Sequence, residues 1–258
     1  MIKIIREKAD WCPLITSSSN SDFYHTYDYH HLSKNEDESP ILFSYSENGT
    51  TISLPLLLRK IEGTSYFDAT SVYGYAGPTT NNLPDDFDNS LFANELEKVL
   101  LEQNIISVFS RLHPYIQHQE NVLRGIGNMS SSGLTVNIDL TKDLDTQKSM
   151  YEKRLRTYIN SSRKQCNIRL AKSPEDINTY IEMYYENMRR VNASQLYFFS
   201  KEYFFNLLGS KDFKTEILLA TINDTNEIIG GAMFIKKNNL VQYHLSGAKE
   251  EFLSFNAI

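Results

Sequence analysis

One pattern occurs twice in this 258-residue chain, and it constrains the fold more than any other feature. Three apolar, β-branched runs follow one another at Ile41–Ser46, Thr51–Arg59 and Ser65–Thr70. They are separated by Glu47-Asn48-Gly49 and Glu62-Gly63-Thr64. Asn-Gly and Gly-Thr between such runs are hairpin signals, so the segment predicts a three-stranded antiparallel meander. The same grammar returns at 216–247. Strands are predicted at Glu216–Ile222, Glu227–Lys236 and Leu240–Ser246, with turns at Asn223–Asn226 and Lys237–Asn239. Ile41 matches Ile217 and Phe67 matches Tyr243, each pair 176 residues apart. Few residues are identical between the copies, so the repeat is one of architecture.

The flanks repeat as well. Asp22 through Leu32 reads as a helix before the first meander. Before the second, Ile177, Tyr180, Ile181, Tyr184, Tyr185, Met188 and Val191 fall at helical spacing within Glu175–Val191, and Ser173-Pro174 supplies the start signal. A further helix, Lys201–Leu208, follows. The first half continues with a helix at Asp86–Glu102, a strand at Ile105–Ser110, a short helix and a strand at Leu134–Asp139. The second stops before the counterparts of 86–110. The expected division is therefore 1–145 for the first unit and 146–258 for the second, the latter lacking its last helix and strand. Either the chain is a truncated product, or a homo-oligomer completes the second unit; Leu240–Ser246 would otherwise be an uncovered strand.

Composition narrows the functional classes. With 26 Lys+Arg against 32 Asp+Glu the net charge is −6, which excludes a chain that is basic throughout in the manner of many nucleic-acid binders. Hydrophobic residues at 41% suffice for a packed core. The longest apolar run, Leu54-Pro55-Leu56-Leu57-Leu58, is far short of a membrane span, and Met1–Arg6 has no signal-peptide core. Two cysteines, Cys12 and Cys166, form neither a disulfide framework nor a metal site, which predicts a reducing, cytoplasmic setting.

The order helix–helix–β–β–β–helix–β is the grammar of the GNAT acyltransferase fold. Two such units in tandem resemble the FemAB-like branch, the peptidoglycan-bridge aminoacyltransferases and their acetyltransferase-like relatives. Particular residues carry the resemblance. Asp22-Phe23-Tyr24-His25-Thr26 with Tyr29-His30 looks like the family's opening motif, and Pro55 followed by Arg59 looks like its second strand. Asp68 with Ser71-Val72-Tyr73-Gly74-Tyr75-Ala76-Gly77-Pro78 is the most specific match. Arg156, Ile159, Asn160 and Lys164 resemble the start of the second domain. Met183–Tyr203 resembles a helix pair, and Tyr243-His244-Leu245-Ser246-Gly247-Ala248 a fourth strand. The family continues with a further helix and strand where this sequence stops. The implied fold class is α+β, a mixed and mostly antiparallel sheet with flanking helices in each of two tandem GNAT-like units.

Each candidate site has two readings. Tyr73, Gly74, Tyr75 and Gly77 form either a rigid substrate-contacting loop or a packed turn ending a strand. Lys148–Arg169 holds seven basic residues, among them Arg154, Arg156, Arg163 and Lys164, against one acid, Glu152. Such a helical stripe either binds phosphates or is a solvated face. His244 is a candidate general base for an attacking amine, or a hydrogen-bonded structural histidine. Tyr243 could donate a proton or orient the acceptor. Asp68, at the position matching His244, either holds an acceptor ammonium or closes a turn. His25, His30 and His31 lack a third ligand at zinc-like spacing, so no metal is expected. Gly247-Ala248-Lys249-Glu250 is a poor version of a pyrophosphate loop.

The resemblance implies an acyl- or aminoacyltransferase. It would move an acyl group from an activated ester or thioester to an amine on a peptidoglycan or surface-polysaccharide precursor. The implied donors are acyl-CoA or aminoacyl-tRNA, with no firm cofactor. Implied partners are a phosphate-bearing or nucleotide-linked precursor and tRNA. The rival expectation is a non-catalytic precursor-binding module, or an inactive truncated member of the family.

Overall fold

The computed structural model describes residues 1–18 and 20–258. They form two compact units. The first comprises Met1–Ser132 with Lys211–Phe213 and Lys237–Leu240; the second comprises Gly133–Ser210, Lys214–Lys236 and Val241–Ile258.

In chain order the first unit contains β1 (Ile2–Ile5), α1 (Lys8–Ser17), a 3-10 turn (Phe23–His25), α2 (Tyr27–Ser33), β2 (Glu38–Glu47), β3 (Thr50–Lys60), β4 (Phe67–Thr70), β5 (Thr79–Asn81), α3 (Ser90–Glu102), β6 (Ile105–Phe109) and α4 (Gln119–Leu123). Its sheet runs β1-β2-β3-β4-β6, with β5 paired to β3. β2 and β3 form a hairpin in which Glu47 opposes Thr50. Asn48 and Gly49 between them both take positive φ, the backbone of a turn whose twist matches that of the strands. β6 lies parallel to β4. One face of the sheet packs Ile41, Phe43, Tyr45, Leu54 and Leu56 against Phe92, Leu96 and Val99 of α3. Burial of this kind stabilises by roughly 1.5–3 kcal/mol per large apolar side chain.

The second unit contains α5 (Leu144–Ser149), α6 (Lys153–Gln165), β7 (Cys166–Leu170), α7 (Pro174–Arg190), a 3-10 turn (Gln195–Tyr197), α8 (Lys201–Gly209), β8 (Lys214–Ile222), β9 (Ile228–Lys237), β10 (Leu240–Ala248) and a 3-10 helix (Glu250–Phe255). Its sheet runs β10-β9-β8-β7. α7 starts where Ser173 accepts from the Asp176 amide, with Pro174 in the first turn. Arg189 and Arg190 in its last turn suit the helix dipole. Its apolar stripe buries Tyr180, Ile181, Met183 and Tyr184.

Both units therefore share one order: strand, helix, 3-10 turn, helix, three strands. The repeat reaches one strand further upstream than the hydrophobic pattern shows, because β1 and β7 are too short to announce themselves. The basic run is not one helix: α6 ends at Gln165, and Cys166–Leu170 pairs with β8 as a strand. Asp22–Leu32 divides at Thr26, whose backbone is extended and whose hydroxyl caps α2. The helix expected from Asp86 begins at Ser90, and the third strand of the first meander shortens to Phe67–Thr70. The strand expected at Leu134–Asp139 does not form: the segment joins no ladder, and Leu134 and Val136 are fully exposed. Alternating pattern alone does not make a strand; a paired neighbour does. Among the described residues no helix is long and apolar enough to cross a membrane.

Candidate functional site

In the first unit the candidate site forms where the parallel pair β4 and β6 ends. The carboxyl ends of parallel strands are where open α/β sheets place ligands, because the loops leaving them diverge. Pairing continues one step past β4, with the Ser71 amide donating to the Phe109 carbonyl at 2.8 Å. The Ser71 hydroxyl then accepts from the Arg111 amide at 3.2 Å. Beyond these contacts one loop carries Tyr73–Pro78 and the other carries Arg111, His113 and Tyr115.

The first loop has little freedom. Gly74 sits at φ +117°, and a Cβ there would lie 2.1 Å from the Tyr24 ring. Gly77 sits at φ +69°, and its Cβ would meet the Gln119 amide at 2.6 Å. Both glycines are required by backbone conformation and by close approach. Tyr29 Oη donates to the Tyr73 carbonyl at 2.8 Å. Tyr75 meets the Tyr24 ring edge-on at 6.0 Å and the His113 ring at 6.3 Å. Tyr73 is 43% exposed while its backbone is held.

Beneath the loop lies a buried polar network. His25 Nε2 is 2.6 Å from the Ala76 carbonyl, and Gln119 Nε2 donates to the Ala76 and Pro78 carbonyls at 3.1 and 2.8 Å. The Gln119 carbonyl accepts from the His113 amide at 2.6 Å. His113 Nε2 lies 3.1 Å from Asp22 Oδ2, both side chains being fully buried. Asp22 Oδ1 accepts from the Phe23 amide, and the Asp22 amide donates to His25 Nδ1. The partners assign the tautomers. Ala76 offers only a carbonyl, so His25 carries its proton on Nε2. Tyr115 offers an N–H to His113 Nδ1, so His113 also carries its proton on Nε2 and donates to the Asp22 carboxylate. Burial holds the pKa of His25 down to about 4 and that of His30 to about 3, so both are neutral near pH 7.

Asp68, also in the first unit, forms a bidentate pair with Arg59 at 2.8 and 2.9 Å, directly across the β3–β4 ladder. A carboxylate so engaged braces the sheet.

The candidates of the second unit fall into two groups. His244 is 8% exposed and lies 3.0 Å from the Tyr203 hydroxyl. Burial lowers its pKa to about 3, so the ring is neutral and closed to solvent, an environment that fits the structural reading. Tyr243, its neighbour on β10, is 55% exposed and packs one edge against Phe234. On α6, Arg154, Arg156, Arg163 and Lys164 are all exposed, and the helix buries no residue. Arg154 stacks over Tyr158 and donates to its hydroxyl. Arg169, the last of the basic run, is spent on Asp176 at 2.7 Å, and this pairing pulls the Asp176 pKa down.

Two amides of the Gly247–Glu250 turn are engaged: Glu250 donates to the Glu186 carboxylate at 2.8 Å and Lys249 to the Ile229 carbonyl at 3.0 Å. A pyrophosphate placed there would meet a carboxylate. Among the described residues no group of three or more His, Cys, Asp or Glu is placed to hold a metal ion.

The sequence reading did not single out His113, Gln119, Arg111 or Tyr115. No local pattern marks them. Their one signal is position, just after a strand that turns out to be parallel to β4.

No family model matches the sequence, and no curated protein matches it. Solved structures do match in fold. FemX superposes with a TM-score of 0.69 over 99% of this chain and 82% of its own, at 11% identity. A conserved protein of unknown function from Bacteroides thetaiotaomicron VPI-5482 superposes with a TM-score of 0.54 over 100% of this chain and 82% of its own, at 12% identity. At such identities the likeness is one of fold, and the chain has the mixed α+β fold of FemX.

Proposed function

We propose that the chain is a FemAB-like transferase of two tandem GNAT-like units, which passes an aminoacyl group to an amine of a peptidoglycan or other cell-envelope precursor. The observation that carries this reading is the fold shared with FemX, a FemAB-family peptidoglycan aminoacyltransferase, over nearly the whole chain. Two features of the chain support it. The Tyr73–Pro78 loop presents an exposed ring on a preset backbone, which suits an acceptor sugar or peptide. The basic face of α6 suits a phosphate-rich donor. Aminoacyl-tRNA fits better than acyl-CoA, because the turn after β10 has its Lys249 and Glu250 amides engaged, the latter on the Glu186 carboxylate.

In the transfer, the acceptor nitrogen attacks the ester carbonyl. A C–N bond forms, the C–O bond to the ribose oxygen breaks, the nitrogen loses a proton and the departing oxygen gains one. Positioning and donors for the developing oxyanion supply most of such a rate, so no nucleophilic side chain is needed. His244 is closed off and Asp68 is paired, which leaves Tyr243 as the candidate to orient the acceptor.

The burial of His244 also favours a second reading, a module that binds the precursor without turning it over. Calorimetry with coenzyme A, acetyl-coenzyme A, uncharged tRNA and a UDP-linked muramoyl pentapeptide, followed by a transfer assay with radiolabelled aminoacyl-tRNA, separates the two. Binding with transfer supports the enzyme; binding without transfer supports the module. Neutralising Arg154, Arg156 and Arg163 together should remove the salt-sensitive part of tRNA binding. Failure to bind any of the four ligands overturns both readings.

A further inference from the structure

We propose that Asp22, His25, His113 and Gln119 are positioning residues that preset the Tyr73–Pro78 loop for its ligand. The role in ligand binding rests on the transferase reading; the holding of the loop does not.

The argument begins with the number of fixed points. The loop places three successive groups against the network: the Ala76 carbonyl, Gly77 and the Pro78 carbonyl. Ala76 accepts from two donors, His25 and Gln119, and Pro78 accepts from Gln119. Gly77 lies so close to Gln119 that a single added carbon would collide. Three distant stretches of chain, 22–25, 76–78 and 113–119, are thereby tied by side chains that are all nearly or wholly buried.

The second point is which groups donate. Asp22 accepts from Phe23 and from His113, and His25 gives its Nε2 proton to the Ala76 carbonyl. The donors that reach the Ala76 and Pro78 carbonyls are N–H groups of His25 and Gln119.

The third point is what the loop presents. The contacts hold the loop's backbone, and the Tyr73 ring on it is 43% exposed. Burying a polar network costs free energy unless each member is satisfied, so a scaffold of this kind is spent where a loop must not move. A loop that had only to end a strand would not need it.

The test uses the whole chain. Gln119→Met removes both donors to the loop at near-constant volume. His25→Leu removes the third donor, and His25→Gln restores a donor at the Nε2 position. Leu96→Ala serves as the control, since it destabilises the apolar core of the same unit without touching the network. Hydrogen exchange over 71–78 and calorimetric affinity for the UDP-linked muramoyl pentapeptide are measured for each.

Gln119→Met and His25→Leu should speed exchange over 71–78 and weaken affinity roughly tenfold to a hundredfold. His25→Gln should recover most of both, and Leu96→Ala should leave affinity unchanged despite a lower melting temperature. Unchanged exchange in Gln119→Met and His25→Leu overturns the proposal. So does a loss of affinity in Leu96→Ala as large as theirs, because the effect would then follow stability alone. Should Gln119→Met fail to fold, the Leu-against-Gln comparison at position 25 decides. Should the unaltered chain not bind the muramoyl ligand, the transferase reading fails, while exchange over 71–78 still decides whether the network holds the loop.

Discussion

The two units run through the same seven elements and then finish the third meander strand differently. In the first, β4 is four residues long, lies between β3 and β6, and gives way at once to a loop pinned from below by His25 and Gln119. In the second, the matching strand β10 is nine residues long and stands at the end of its sheet. It is held instead by aromatic side chains of the helices: Tyr180 Oη donates to the Leu245 carbonyl at 2.9 Å, and the Tyr203 hydroxyl meets His244. One architecture thus supports a short strand feeding a polar, preset loop and a long strand anchored to a ring cluster. The lesson is that topology sets where the strand ends, and the side chains beneath it decide whether that end becomes a binding loop or a packed edge.

Acid offers the largest test of this contrast. His25 and His30 belong to the first unit and His244 to the second; burial holds their pKa values to about 4, 3 and 3. Each folded value lies below the ordinary value near 6.5. Between the two, the unfolded chain binds protons that the fold refuses. Stability is therefore highest above pH 6.5, falls as the pH drops, and is fully lost for each group below its folded pKa. At about 1.4 kcal/mol per unit, each histidine accounts for on the order of 3–5 kcal/mol. The first unit carries two such groups and the second one. Trp11, the single tryptophan, donates to the His25 carbonyl at 2.9 Å and lies 5.0 Å from the His30 ring, so its fluorescence reports this unit. The tryptophan transition is expected at a higher pH than the loss of far-ultraviolet circular dichroism. Coincident transitions would show that the two units respond to acid as one.

Gly74→Ala comes next. The substitution adds a carbon 2.1 Å from the Tyr24 ring at a backbone angle that favours glycine. Overpacking and strain together should cost about 2–5 kcal/mol, read as a lower urea midpoint. A loss below about 1 kcal/mol would mean that the Tyr73–Pro78 loop is free to shift, which would remove the contrast with β10.

How much of this was legible in the sequence follows from what each feature depends on. The meanders were readable because Asn48-Gly49 and the alternating apolar runs act locally. α7 was readable because its stripe and its Ser173-Pro174 start lie within one helix. β7 was hidden under a basic run whose charges suggested a continuous helix, and Leu134–Asp139 carried a strand pattern but had no neighbour to pair with. The loop at Tyr73–Pro78 could be marked from its glycines and tyrosines. Two of its supports could not, since His113 and Gln119 meet it only through the parallel placement of β6 beside β4. His244 is legible as a strand residue that is either a base or a hydrogen-bonded structural histidine; its burial beside Tyr203 depends on the packing of α8 against the second sheet.

The smallest expected effect lies at the two matched positions, and it separates the units most directly. Asp68 and His244 stand 176 residues apart, at equivalent places in the two meanders. Asp68→Asn breaks a cross-strand ion pair whose side chains are 26% and 44% exposed on the Asp and Arg sides. Water screens such a pair, so the cost should stay below about 1 kcal/mol and shrink further in salt. Tyr203→Phe removes the buried hydrogen bond between the Tyr203 hydroxyl and His244 Nε2. Loss of such a bond costs about 0.5–1.5 kcal/mol, independent of salt. Urea unfolding of both variants at low and high ionic strength reads the two numbers together. Equal, salt-sensitive losses would place His244 in a solvated setting like that of Asp68 and reopen it as a proton acceptor. A salt-independent loss confined to Tyr203→Phe would fix the imidazole as part of the core, and would leave Tyr243 as the residue on β10 to test for a role in transfer.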